Sequence, residues 1–73
     1  MKLPTDISGQ ELVKVLQRAG FTVTRQKGSH IILRRDNPRA RVVVPDHKPV
    51  RVGTLRQILN EAGITVEQLL ELR

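Results

Sequence analysis

The 73-residue chain has no cysteine, no tryptophan and no tyrosine, and its single phenylalanine is Phe21. Without thiols there is neither a disulfide nor a thiolate metal site to staple so small a fold, and nothing implies an oxidising compartment. Two histidines 17 positions apart, with no carboxylate cluster, fall far short of a metal-ligand set, so we expect neither metal nor cofactor. No apolar run approaches the roughly 20 residues of a membrane helix. The start, Met1-Lys2-Leu3-Pro4-Thr5-Asp6, lacks the apolar stretch of a signal peptide. The expectation is a cytoplasmic protein that does not engage membranes. Scarce aromatics exclude something further. Readers of single-stranded RNA commonly stack bases on exposed rings, and Phe21 is expected in the core. A nucleic-acid binder of this composition must work through phosphate, sugar and shape.

Negative charge is also in short supply: 13 lysines and arginines stand against 7 acidic residues, a net charge of +6. The middle of the chain is more one-sided. Nine basic residues fall between Arg25 and Arg56 (Arg25, Lys27, Arg34, Arg35, Arg39, Arg41, Lys48, Arg51 and Arg56), opposed by Asp36 and Asp46. Glu61, Glu67 and Glu71 come later. Such clustering points to a polyanionic partner, nucleic acid first.

Hydrophobic residues make up 38% of the chain, enough for a compact domain spanning residues 1–73. Ser8-x-x-Glu11 has the form of a capping box. Leu12, Val13, Leu16 and Ala19 follow at helical spacing, and Gly20 suits the left-handed stop, giving a helix over about 8–19. Phe21–Gln26 alternates like a half-buried strand. Lys27-Gly28 reads as a tight hairpin loop. A second strand is predicted over about Ser29–Arg35 and a third over Ala40–Val44, joined by the turn Asp36-Asn37-Pro38-Arg39. A loop with Pro45 and Pro49 precedes a helix with Thr54 as N-cap and an apolar stripe of Leu55, Ile58, Leu59 and Ala62. Thr65-x-x-Gln68 starts a short last helix. The sum is a two-layer α+β domain, α-β-β-β-α plus a short terminal helix: a three-stranded antiparallel sheet with helices on one face and the other face open. With Ile31 and Leu33 turned toward the helices, His30, Ile32 and Arg34 point to the open side.

That placement gives His30 chemical interest. Cleaving RNA needs a base for the 2′-hydroxyl proton and an acid for the leaving 5′-oxygen, and histidine serves either role near neutral pH. Cations nearby would stabilise charge building on the phosphate. Gly28 leaves room beside the imidazole, Ser29 offers a hydrogen bond, and Lys27 adds charge. In an otherwise basic protein a lone histidine is more often a phosphate contact or a structural group. His47 is a second acid/base or a phosphate ligand in RNA binding, or else a loop histidine with local hydrogen bonds. Thr54 and Arg56 open a helix whose free N–H groups would attract phosphate. Arg34, Arg35, Arg39 and Arg41 flank the second turn as candidate contacts to phosphate or an acidic partner.

Taken together these residues resemble a family. Ser8-Gly9 with Glu11-Leu12, Gly20-Phe21, Gln26-Lys27-Gly28-Ser29-His30, Val44-Pro45 with His47, Gly53-Thr54-Leu55-Arg56 with Ile58-Leu59, and Ala62-Gly63-Ile64 are similar to the HicA (YcfA-like) toxins, and the likeness runs nearly end to end. The turn Asp36-Asn37-Pro38-Arg39 departs from the glycine-containing turns of that pattern. The resemblance implies a fold like that of double-stranded-RNA-binding domains and an endoribonuclease that cleaves mRNA and arrests translation. It also implies a catalytic histidine at His30. The implied partner is a HicB-like antitoxin that covers the basic active-site face and links the toxin indirectly to operator DNA. Two other readings share the same charge: a non-catalytic RNA-binding module of this fold, and a domain whose basic face meets an acidic protein.

Overall fold

The computed structural model describes residues 2–73; Met1, which opens the stretch read for a signal peptide, lies outside the described residues. The elements run α1 (Gly9–Arg18), β1 (Thr22–Lys27), β2 (His30–Asp36), β3 (Arg39–Pro45), α2 (Val52–Ala62) and α3 (Val66–Leu72). The strands form one antiparallel sheet in the order β1-β2-β3, the meander that short turns favour.

Helix α1 begins where the sequence predicts. The Ser8 side chain accepts from the Glu11 N–H (3.1 Å), and Gly20 after the helix has φ 98°. Only half of the predicted box forms, because the Glu11 carboxylate pairs with Arg73 instead. The second box is complete. Thr65 accepts from the Gln68 N–H (3.1 Å), and the Gln68 side chain accepts from the Thr65 N–H (2.9 Å). Helix α2 starts earlier than predicted. Its N-cap is Arg51, with no side-chain cap bond, and Thr54 sits within the first turn.

The core is a single cluster. Ile31, Leu33, Val42 and Val44 from the sheet meet Leu12, Val15 and Leu16 of α1, Leu55, Ile58 and Leu59 of α2, and Leu69 of α3. Phe21 is buried with them. Burying each such side chain contributes roughly 1.5–3 kcal/mol. All six residues of β1 are exposed, unlike the half-buried strand its alternation predicts. It is one of the sheet's two edge strands, and its register shifts between Val23 and Arg25. Phe21, just before the strand, fills the core in its place.

Candidate functional site

Strand register builds the open face in rows. Lys27, His30 and Pro45 are register partners across β1, β2 and β3. Arg25, Ile32 and Val43 form the next row, and Thr22, Arg34 and Arg41 the third. Rows two residues apart stand about 7 Å from each other along the strands. The hairpin loop is Gly28-Ser29, one residue later than the Lys27-Gly28 predicted. That shift pairs Lys27 with His30 on the same face. Gly28 takes φ 60°, the left-handed conformation the turn requires, and nothing lies within 4 Å of the Cβ it lacks. His30 and Lys27 are both exposed.

The loop between β3 and α2 brings the second histidine to the first. Three backbone bonds hold it: Asp46 N–H to the Ser29 carbonyl (2.7 Å), Gly9 N–H to the His47 carbonyl (2.8 Å) and Val50 N–H to the Ile7 carbonyl (2.8 Å). The loop is thereby fastened to the β1–β2 turn, to the start of α1 and to the segment before it. The result is a depression of about 400 Å³ lined by His30, Val43, Pro45, His47, Arg51 and Thr54. The local hydrogen bonding considered for His47 is confined to its backbone; among the described residues its imidazole has no protein partner. Arg51 is a cation the sequence reading did not single out. Its signal was its place just before Gly53-Thr54, where the helix now begins.

The remaining candidates divide. Arg34 and Arg41 face each other in register two rows from His30, and Arg34 also pairs with Asp36 (3.3 Å). Ser29 lies in the turn and uses its carbonyl to hold the loop. Arg35 does not join the face. It alternates to the helix side, where its guanidinium lies 4.6 Å from the Phe21 ring centroid and donates to the carbonyls of Pro38 (2.8 Å) and Ala62 (3.1 Å). It thus ties the turn before β3 to the C-terminus of α2, a cation where the helix dipole favours one. Arg56 is likewise elsewhere. It lines a separate, mostly apolar groove of about 640 Å³ with Leu3, Val52, Leu59, Ile64 and Val66. Two residues after Thr54 on a helix, it points to nearly the opposite side.

Chemically, the first row and the loop offer two imidazoles as proton donors or acceptors, with Lys27 and Arg51 as fixed cations around them. Among the described residues no group of three or more histidine, cysteine, aspartate or glutamate residues could hold a metal ion. No helix among them is long and apolar enough to cross a membrane. A search of curated proteins finds no match. The sequence model of the HicA toxin of bacterial toxin–antitoxin systems matches residues 9–64, from the first residue of α1 to Ile64, two residues past the end of α2. With most of its length matched, and with the α+β fold expected of it, this chain belongs to the HicA toxin family.

Proposed function

We propose that this toxin is an endoribonuclease that cleaves mRNA without a metal ion, with His30 as general acid or base. The observation that carries the reading is the shared depression that gathers His30, His47 and Arg51, with Lys27 beside His30 in register. In the reaction, one imidazole takes the proton of a ribose 2′-hydroxyl as its oxygen bonds to phosphorus. The P–O5′ bond breaks, and an acid delivers a proton to the leaving oxygen. Lys27 and Arg51 oppose the extra charge on the phosphoryl oxygens at the transition state. A second histidine in the depression supports a division into acid and base.

As a toxin of a two-component system the protein has an antitoxin partner. We place a HicB-like antitoxin on this same basic face, where it excludes RNA, and assign any contact with operator DNA to the antitoxin. The test is cleavage of mRNA in EDTA by wild type and His30→Ala, with circular dichroism to check folding. Cutting by wild type, and a loss of about 10²-fold or more in the folded variant, is the expected outcome. Binding of RNA without cutting by either protein would sink the enzymatic reading and leave a binding module.

A further inference from the structure

A second concavity lies beside the His30 depression. The crease between β3 and α2, about 250 Å³, is lined by Arg41, Val43, Thr54, Gln57, Ile58 and Glu61. Val43 and Thr54 line both concavities, so the two are neighbours. Its apolar surface is the buried Ile58 and the half-buried Val43, and its polar rim is the exposed Gln57 and Glu61. Among the described residues, the side chains of Arg41, Thr54, Gln57 and Glu61 make no hydrogen bond or ion pair within the protein. Four polar groups left free around a small apolar patch, beside a candidate reaction site, have the makings of a recognition subsite.

We infer that this crease reads one base of the RNA next to the scissile phosphate, an inference that rests on the ribonuclease reading of the His30 depression. The charges set the orientation. Arg41, with Arg34 opposite it in register, draws the phosphate backbone onto the sheet. Glu61 repels phosphate, so the groove wall on α2 receives the base and not the backbone. Val43 supplies the apolar contact for the base plane, which this aromatic-poor protein cannot make by ring stacking. The carboxylate of Glu61 only accepts hydrogen bonds, whereas the Gln57 amide donates and accepts. Together they favour a base with an exocyclic amine opposite the carboxylate, adenine, cytosine or guanine, over uracil, which has no exocyclic amine and flanks its one N3–H with two acceptor oxygens.

The experiment is sequencing of the ends produced from a random-sequence RNA pool by wild type, Glu61→Gln and Gln57→Ala. Wild type is expected to favour adenine, cytosine or guanine over uracil at one position beside the cut by about tenfold. Glu61→Gln should raise uracil relative to that preference by a similar factor, because the amide can donate to O4. Profiles identical in all three proteins would overturn the subsite. Absence of cutting by wild type would refute the ribonuclease reading alone. The crease is then tested by affinity for short RNA oligonucleotides that differ in one base, adenine or uracil. Equal affinity for the two bases in wild type would overturn the crease, and a preference lost in Glu61→Gln would uphold it.

Discussion

A Cβ added to Gly9 would run into the carbonyl oxygen of Pro45 and lie 3.0 Å from the Cα of Asp46. Both neighbours are backbone, so neither can swing aside as a flexible side chain would. Glycine within a helix ordinarily costs about 0.5–1 kcal/mol relative to alanine, so Gly9→Ala would stabilise an isolated α1. Here the clash reverses the sign. We expect Gly9→Ala to destabilise the protein by about 1–3 kcal/mol, the range for overpacking a filled site. The Gly9 N–H also holds the His47 carbonyl, so the same change should displace His47 and lower RNA cleavage. Urea denaturation and the cleavage assay check the two effects. A variant at least as stable as wild type, with full activity, would show that α1 does not hold the loop in place. Nothing in the sequence near Ser8-Gly9 reveals this contact. The cap is legible because it is local, while the neighbour that demands glycine lies 36 positions away (45 − 9).

Elements were legible to the extent that their signals are local. Alternation in Ile31-Ile32-Leu33 correctly turns Ile31 and Leu33 to the core and leaves His30 on the open side. The start of α2 was not legible in the same way. Thr54 is the better capping residue, yet Arg51 takes the position, because Val50 is pinned to Ile7 and the chain turns helical directly afterwards. A long cation at the cap is a stability cost with a functional location, since Arg51 lines the His30 depression. Arg51→Ser should therefore separate the two. A hydroxyl able to accept from the first-turn N–H groups should stabilise the protein by about 0.5–2 kcal/mol. Loss of the guanidinium should weaken RNA cleavage, mostly through a lower kcat, because the charge that Arg51 opposes builds at the transition state. Thermal unfolding and steady-state kinetics on one RNA decide it. Higher stability with unchanged kinetics would remove Arg51 from the site.

At the scale of the molecule, charge and fold divide the surface. The basic excess read from the middle of the sequence becomes the open sheet face because strands alternate, whereas Arg35 and Arg56, equally basic in sequence, are turned away by tertiary packing. On the helical side, Arg73 gathers the segment before α1, α1 itself and the end of α3, pairing with Asp6 (3.1 Å) and Glu11. The hydrogen bond from Arg73 holds the Asp6 carboxyl below its usual 3.8 despite the opposing effect of burial. A carboxylate whose pKa is lower folded than unfolded stabilises the native state fully above the unfolded value. That contribution fades as pH falls through the folded one. The stability gap between wild type and Arg73→Met should therefore be flat from about pH 5 to pH 8 and narrow below about pH 4, because the unfolded chain binds the Asp6 proton first. Urea midpoints across that range measure the gap. A gap that stays constant to the lowest pH would mean that Arg73 acts by packing alone, and that the tie between α3 and the N-terminal segment is not electrostatic.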